Sequence, residues 1–384
     1  MSSPAKAART AANIVAISAL GATAGSGVMV VGAGRDALML GYETTLPMLA
    51  WLTAAVSITF AGMQIPAGWL VDRWGPRRVA YLGAVGTVVF YTVAMLTPSF
   101  ELALVVRVLA GVSMAFGFVS GSDLVRALGM PAWVQGLFGG LALGSAGVAF
   151  LVLPALGTTV IGWRAPWLFV AIIGVIALVG LLSVPATAPR PRMPIGSNRP
   201  KILSARLFAM AGAHTATFGL GVVLSNWLAV QLIRDGGLEV GWADLISAML
   251  LIITAASRPL GGYLFDRTHD ARLVIVAPLL AGAVTLVALS VAGGPVWALV
   301  AAIAFGVFSG MPFAPSFESS RRLVPHAPGL AIGIVNGLAN AVILGGVPLY
   351  ILMIEAGQGA LALWIMAGLW VLAALAVAVT KDRH

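Results

Sequence analysis

Long apolar runs alternate with short polar or charged stretches along almost the whole chain. A membrane-spanning helix needs about 20 mostly apolar residues, because the hydrocarbon core of a bilayer is about 30 Å thick. Dividing the sequence at charges, prolines and polar clusters predicts twelve such helices, spans 1 to 12, at residues 11–33, 47–67, 79–97, 101–122, 133–157, 165–185, 207–232, 241–262, 273–292, 295–318, 328–354 and 358–380. The pattern therefore predicts an all-α membrane protein with the lipid bilayer as its surroundings.

Two basic residues, Lys6 and Arg9, precede span 1, as they would in a secretory signal peptide. The apolar run of span 1 exceeds the roughly 7–15 residues of a signal peptide, and eleven more spans follow it. We therefore expect span 1 to be a retained transmembrane helix.

The composition agrees with a membrane protein. Hydrophobic residues make up 60% of the 384 positions, charged residues only 9%, and the mean hydropathy is +1.01. A soluble domain is closer to half apolar and a quarter charged. The chain has no cysteine, which excludes disulfides, a thiolate nucleophile and cysteine metal ligands.

The basic residues predict the orientation of the spans, because cytoplasmic loops carry an excess of Lys and Arg. Only Arg35, Arg164 and Arg234 fall on the external side if the N-terminus is cytoplasmic, and Arg107 lies within span 4. The cytoplasmic side then carries the other eighteen: Lys6, Arg9, Arg73, Arg77, Arg78, Arg126, Arg190, Arg192, Arg199, Lys201, Arg206, Arg258, Arg267, Arg272, Arg321, Arg322, Lys381 and Arg383. We predict a protein of the inner cell membrane with both termini in the cytoplasm. The net charge of +9 is then a topology signal and does not indicate a nucleic-acid partner.

A proline- and arginine-rich stretch, "PATAPRPRMPIGSNRPK" at residues 185–201, separates six spans from six. It has almost nothing to bury and is typical of an exposed linker. We predict an N-terminal six-helix bundle at 1–185, a cytoplasmic linker at 186–206 and a C-terminal six-helix bundle at 207–384, in a protein that is a monomer.

A short charged box occurs twice, each time between the second and third span of a half. The first reads "GWLVDRWGPRRV" and the second "GYLFDRTHDARLV", which lacks the second glycine. A glycine lets two helices approach closely, and an aspartate beside arginines at a helix end can form charge-assisted hydrogen bonds. We predict a conformational latch made of Gly68, Asp72, Arg73, Arg77, Arg126, Gly262, Asp266 and Arg267. The alternative is that these charges only set the topology.

Two arginines lie at membrane depth, where ionisable residues are costly and usually functional. Arg258 precedes Asp266 by eight residues, which places it about 12 Å along span 8. The residue eight positions before Asp72 is Gln64, so the repeat places Gln64 and Arg258 at matching depths. We predict that both, together with Arg107, bind substrate. The alternative is that each arginine extends to the lipid headgroups.

No carboxylate lies near the middle of a span, and His214 is the only histidine within one. A cavity with an arginine and no acid favours an anionic small-molecule substrate, because buried charges need a counter-charge. His214 is either a substrate ligand or a packed, hydrogen-bonded side chain. The four histidines are scattered, so no metal cluster, cofactor or catalytic pair is predicted and the chain is not expected to be an enzyme.

Neutral polar residues complete the predicted substrate site. They are Ser145 in span 5, Asn226 in span 7, and Asn336 and Asn340 in span 11. Glycines four residues apart in spans 5 and 11 indicate close helix packing or backbone contact with a small ion.

The two six-span halves, the basic linker and the repeated Gly-x-Leu-x-Asp-Arg box resemble the major facilitator superfamily over nearly the whole chain. The resemblance implies two pseudo-symmetric bundles, the major facilitator fold, and Arg126 as a partner of Asp72. "ASRPLGGYLFDR", "FGLGVVLSNWL", "GLALGSAGVAFLVLP" and "NGLANAVILGG" look most like the nitrate/nitrite porter branch. That branch holds its anion between arginines in the second and eighth spans. Arg258 matches the second, whereas Gln64 replaces the first and Ser145 replaces an asparagine.

The resemblance implies a secondary transporter that moves a small anion by alternating access. Gln64 in place of an arginine makes a small carboxylate as suitable as nitrate. The alternatives are a proton-coupled drug or metabolite exporter of the same superfamily, and a transport-inactive sensor or scaffold on the same fold.

Overall fold

The computed structural model of the protein describes residues 4–186, 203–291 and 293–380. The chain divides into two compact units, Met1–Met130 with Leu141–Ile195, and Pro131–Gly140 with Gly196–His384. Most of the predicted linker, residues 187–202, lies outside the described residues, as do Lys381 and Arg383. The predicted bundle boundary at 186–206 stays a prediction.

The first unit is built from long apolar helices and one short helix that the apolar pattern did not predict. That short helix, α2, follows the first span. The helices are α1 (Pro4–Ala33), α2 (Arg35–Gly41), α3 (Leu46–Gly62), α4 (Gln64–Trp74), α5 (Pro76–Leu96), α6 (Phe100–Ala127), α7 (Ala132–Gly157) and α8 (Ala165–Gly180). The start of α7, up to Gly140, belongs to the second unit.

The second unit is also helical, and its first long helix is interrupted. Between α9 and α10 the residues Thr215–Leu220 form a π-helix, whose turns are wider than those of an α-helix. The helices are α9 (Ala205–His214), α10 (Gly221–Arg234), α11 (Val240–Thr268), α12 (Ala271–Leu289), α13 (Gly294–Gly310), α14 (Phe313–Leu323), α15 (Pro328–Glu355) and α16 (Gly359–Val379).

The helices confirm the predicted fold class. In the described part of the chain, eleven helical segments are long and apolar enough to cross a membrane, and the bent pair of α3 and α4 makes a twelfth if it is counted as one span. The predicted continuous helix at 47–67 is wrong in one respect, because α3 and α4 meet at Met63 with a bend of 47°. Pro66 explains the bend: it has no N–H to donate to the carbonyl of Gly62, and its ring clashes with that carbonyl.

The interior of the second unit packs large side chains against glycine. Trp370 is fully buried, and its ring centroid lies 5.0 Å from that of Phe305. A Cβ atom at Gly282 would lie 2.1 Å from the Trp370 ring. Because Gly282 has no side chain, the Trp370 ring packs directly against the backbone of α12. This contact fixes α12 against α16.

Candidate functional site

Arg258 lies in the interior of the second unit. Its side chain is only 2% exposed, so it does not extend to the lipid headgroups. Its Nη1 donates a hydrogen bond to the carbonyl of Gly139 at 2.6 Å. The guanidinium carbon lies 4.3 Å from the ring centroid of Phe313 and 5.3 Å from that of Phe218. The guanidinium therefore lies over two aromatic rings and donates one hydrogen bond to a carbonyl.

The rest of the Arg258 guanidinium has no hydrogen-bond or ion-pair partner among the described residues. Its Nε is buried without a hydrogen bond, and no carboxylate forms an ion pair with it. Nε–H and one Nη2–H point the same way and form the edge that binds a carboxylate or a similar oxoanion in two parallel hydrogen bonds. The edge that could bind a planar anion therefore has no hydrogen-bond acceptor from the described part of the protein.

Glycines at the start of α7 make the contact with Arg258 possible. A Cβ atom at Gly136 would lie 2.2 Å from the carbonyl oxygen of Arg258, and one at Gly139 would lie 2.2 Å from the Phe313 ring. At Gly140 it would lie 2.5 Å from the carbonyl oxygen of Ala255. Only a chain without side chains at these positions brings α7 close enough to offer its carbonyl to Arg258.

His214 occupies the same interior as Arg258. It is fully buried, and its Nε2 lies 3.2 Å from the side-chain oxygen of Asn336. Its ring stacks on Phe218 with centroids 5.2 Å apart and also contacts Phe313 at 5.6 Å and Phe317 at 4.8 Å. This arrangement agrees with the alternative that His214 is a packed, hydrogen-bonded side chain. A role for His214 in substrate binding stays a prediction.

The π-helix brings Phe218 to this cluster. Its Thr217 carbonyl accepts a hydrogen bond from the Ser309 hydroxyl at 2.8 Å. Gly219 lies against α15, where a Cβ atom would come within 3.1 Å of the carbonyl oxygen of Ala339. Sequence reasoning missed Phe218, Phe313, Gly139 and Ser309. The spacing of Phe313 and Phe317, one helical turn apart, was the only available signal.

The structure brings some of the predicted neutral ligands together and separates others. Asn340 donates to the carbonyl of Asn336 at 2.8 Å, so both lie on the face of α15 that meets His214. Asn226 instead donates to the carbonyl of Val222 in its own helix at 2.7 Å, and its side chain is exposed. Among the described residues, no hydrogen bond joins Asn226 to Arg258 or His214. Its role in substrate binding stays a prediction.

In the first unit, Gln64 and Ser145 both bond to backbone carbonyls. Gln64 is fully buried at the start of α4 and donates to the carbonyl of Phe60 at 3.1 Å. Ser145 on α7 donates to the carbonyl of Ala22 on α1 at 2.9 Å. These bonds tie together neighbouring segments of the first unit, and a part in substrate binding stays a prediction for both residues.

Arg107 is also fully buried, which excludes the headgroup alternative for its side chain. It donates to the carbonyls of Leu52 at 2.9 Å, Gly27 at 2.6 Å and Val28 at 3.4 Å, and to the Tyr91 hydroxyl at 2.8 Å. All three of its nitrogens are engaged, in contrast to those of Arg258. Arg107 joins α1, α3 and α5 to its own helix α6.

The second charged box holds the N-terminus of α7. The Asp266 carboxylate accepts hydrogen bonds from the backbone N–H groups of Ala132 at 3.0 Å and Trp133 at 3.1 Å. A Cβ atom at Gly262 would lie 2.4 Å from the Ala132 carbonyl oxygen. A carboxylate at a helix N-terminus is stabilising because it pairs with unbonded N–H groups. Gly262 and Asp266, one turn apart, thus hold the first turn of α7: the glycine permits close approach, and the carboxylate binds the N–H groups.

Both boxes also carry an aromatic residue four positions before their arginine. Arg73 lies over Trp69 and Arg267 over Tyr263, each 5.1 Å from the ring centroid. In the first box Gly68 is buried and the Arg77 guanidinium lies over Tyr81 at 5.2 Å. These contacts fix the arginines beside their own helices.

Arg126 forms an ion pair with Asp123 on α6, with bonds of 2.9 and 3.2 Å. This pair was not predicted from the sequence, and its carboxylate is fully buried. The pairing of Arg126 with Asp72, and the latch itself, stay predictions.

The second box has His269 at the position of Gly75 in the first box, and both residues have a positive φ. Three residues after Asp72, Gly75 has φ +86°, and three residues after Asp266, His269 has φ +56°. A side chain in this left-handed region costs about 1–2 kcal/mol. We expect His269→Gly to raise the melting temperature of the detergent-solubilised protein by a few degrees. His326→Gly, at a position without positive φ, is the control; an equal gain there, or none at His269, contradicts the explanation.

Comparison with known proteins supports this architecture. The profile of the Major Facilitator Superfamily matches residues 14–345. The fucose:proton symporter FucP of E. coli superposes with a TM-score of 0.72 over 97% of this chain and 98% of its own, at 16% identity, a likeness of fold alone.

Two curated relatives belong to different transport classes. The probable nitrate/nitrite antiporter NarK1 of Thermus thermophilus is 27% identical over 59% of this chain and 54% of its own length. The probable actinorhodin transporter of Streptomyces coelicolor is 24% identical over 78% of this chain and 50% of its own. The chain therefore spans about half the length of these relatives.

Proposed function

Because the chain belongs to the Major Facilitator Superfamily, we propose that it is a secondary transporter that carries a small planar anion across the membrane by alternating access. Membership of this family agrees with the expectation that the chain is not an enzyme. The observation that carries the proposal is the Arg258 guanidinium, buried without a carboxylate partner and with its Nε hydrogen-bond donor unused.

The energetic reason is the cost of a buried, unpaired charge. The effective penalty of moving an ion out of water into a protein interior is several kcal/mol. One carbonyl and two aromatic rings offset part of that cost for Arg258. An anion bound to the Nε and Nη2 edge supplies the missing counter-charge and two charge-assisted hydrogen bonds.

The surroundings of Arg258 favour a small anion with at least two oxygens in one plane. Phe218 and Phe313 pack against the guanidinium, and its Nε and Nη2 edge, which has no hydrogen-bond acceptor, would bind a ligand lying in the guanidinium plane. Nitrate, nitrite and small carboxylates have this shape. The relative named as a nitrate/nitrite antiporter supports the same class of substrate.

A metabolite exporter is the second candidate, because one relative is named as an actinorhodin transporter. An unpaired buried arginine disfavours a cationic substrate, since like charges repel in a medium of low dielectric constant. The exporter alternative therefore requires a neutral or acidic compound.

A thermal-shift panel on the purified protein tests the proposal. A ligand that binds only the folded state stabilises it by about 2.7 kcal/mol at 100 times its Kd. We expect sodium nitrate, nitrite or acetate to raise the melting temperature relative to sodium chloride at equal ionic strength. Stabilisation by actinorhodin alone favours the exporter. If no compound stabilises the protein and its liposomes move no solute, the sensor or scaffold alternative is favoured.

A further inference from the structure

His214 has one ring nitrogen engaged and one without a partner. Nε2 lies 3.2 Å from the side-chain oxygen of Asn336, which is an acceptor. The neutral ring therefore carries its proton on Nε2 and has a lone pair on Nδ1. Nδ1 is buried and has no hydrogen-bond partner in the part of the chain that the structure describes. It is a buried basic atom with an unused lone pair.

His214 and Arg258 contact the same two aromatic rings. Phe313 lies 5.6 Å from the His214 ring and 4.3 Å from the Arg258 guanidinium, and Phe218 lies 5.2 and 5.3 Å from them. The two groups are therefore at most about 10 Å apart, the sum of their distances to the Phe313 centroid. At that distance within a protein, two unit charges change each other's binding equilibria roughly tenfold.

Arg258 is the charged group that contacts the same aromatic rings as His214. The other titratable residues on the helices packed around His214 are Arg206 (α9), Arg234 (α10), Glu318, Arg321 and Arg322 (α14), and Tyr350 and Glu355 (α15). The described parts of α13 and α16 have none.

These other groups are distant along their helices or engaged with each other. On α9, α10 and α15 they lie about 12 Å or more along the helix from His214 or from its partner Asn336. On α14, Glu318 pairs with Arg321 at 3.2 Å and with Arg322 at 3.1 Å. The charge state of His214 is therefore coupled to Arg258 and to whatever neutralises it.

We infer that Nδ1 of His214 is a proton-binding site linked to the anion on Arg258, so that one proton is carried with each monovalent anion. With the anion absent, a protonated His214 would place two positive charges beside the same rings. With the anion bound, the arginine is neutralised and the proton is accepted at Nδ1, while Nε2–H keeps its bond to Asn336. The interior then holds one net positive charge both empty and loaded, so loading adds no net charge to the buried site.

The inference rests on the proposed function and deepens it, because it names the coupling ion. It also defines the direction of the pH effect. Protonated His214 favours anion binding, so anion affinity rises as the pH falls. Without this linkage, a nitrate site built on arginine alone has the same affinity across the neutral range, because arginine does not titrate there.

Nitrate binding to the purified protein, measured by isothermal titration calorimetry between pH 5.5 and 8.5, tests the linkage. Nitrate is suitable because it stays ionised throughout this range. We expect its affinity to rise about tenfold toward low pH. We also expect up to one proton to be taken up per nitrate, read from the dependence of the binding heat on buffer ionisation enthalpy. This proton count uses the unaltered protein and does not depend on any variant folding.

Two variants distinguish a proton bound at His214 from general effects of pH on the protein. We expect His214→Gln to bind nitrate with a pH-independent affinity and no proton uptake, whereas His326→Gln keeps both. Nitrate binding that is independent of pH and takes up no proton in the unaltered protein overturns the inference and leaves the proposed function standing. If nitrate, nitrite and acetate all fail to bind at any pH, the proposed function fails and the inference fails with it.

Discussion

Replacing Arg258 with glutamine is expected to abolish anion uptake into proteoliposomes while the protein still folds. Breaking a buried, hydrogen-bonded ion pair by removing one partner costs about 3–5 kcal/mol, so uptake of nitrate, nitrite or acetate should fall by at least about 100-fold. Without ligand, the variant should melt at the same temperature as the parent or slightly above it. The reason is that the unliganded arginine is a buried charge without a counter-ion.

The matched control is Arg322→Gln. Arg322 lies in the same unit but is largely exposed, at 63% of its side chain, and pairs with Glu318 at the surface. Exposed pairs contribute about 0–1 kcal/mol, so uptake and stability should both be nearly unchanged. Full uptake by the Arg258→Gln protein would remove Arg258 from the substrate site, and loss of uptake in the control as well would show that the assay reports protein damage.

Replacing Arg107 with glutamine is expected to have the opposite pattern, a large loss of stability. Arg107 donates four hydrogen bonds that join four helices, and its guanidinium lies 5.8 Å from the Trp167 ring centroid. A glutamine is too short to reach the same acceptors and leaves a cavity. We expect the free energy of unfolding to fall by about 3 kcal/mol, measured by thermal or denaturant unfolding in detergent.

Tyr91→Phe provides a graded comparison for Arg107. It removes the hydroxyl that accepts from Arg107 and donates to the carbonyl of Gly27, but it keeps the ring. The expected loss is smaller, about 1–2 kcal/mol. If Arg107→Gln folds as stably as the parent and yet loses anion binding, the sequence-based assignment of Arg107 to the substrate site is correct and the structural role is wrong.

These two buried arginines show how the same residue type acquires different roles. Both lie at membrane depth in the sequence, and both were predicted to bind substrate. In the structure, backbone carbonyls of α1 and α3 and the Tyr91 hydroxyl engage every nitrogen of Arg107, whereas the Nε of Arg258 has no hydrogen-bond partner. Which carbonyls approach a side chain depends on helices distant in sequence, so the difference was not visible in the local pattern.

The repeated boxes give a second example. The spacing of Gly262 and Asp266 predicted a glycine for close approach and a carboxylate for charge-assisted bonds, and the structure contains both contacts. The partner was not predicted, because it is the backbone at the start of α7, more than 130 positions earlier. Backbone N–H groups are present at every residue and carry no signal of their own in the sequence.

The amino-acid sequence alone determined the membrane class and the helical fold. These properties follow from the length of apolar runs and from the cost of charges in lipid, and both are local. The bend at Met63 also has a local cause, since Pro66 removes a hydrogen bond within its own helix, although the apolar pattern predicted a continuous helix there.

Only the tertiary structure decided which polar groups have partners. Three contacts require segments that are far apart in the chain to meet. They are the packing of Arg258 on Phe313, the hydrogen bond between His214 and Asn336, and the binding of the α7 N-terminus by Asp266. A buried polar group is satisfied or unsatisfied by whatever packs against it, and that depends on long-range packing rather than on neighbouring residues.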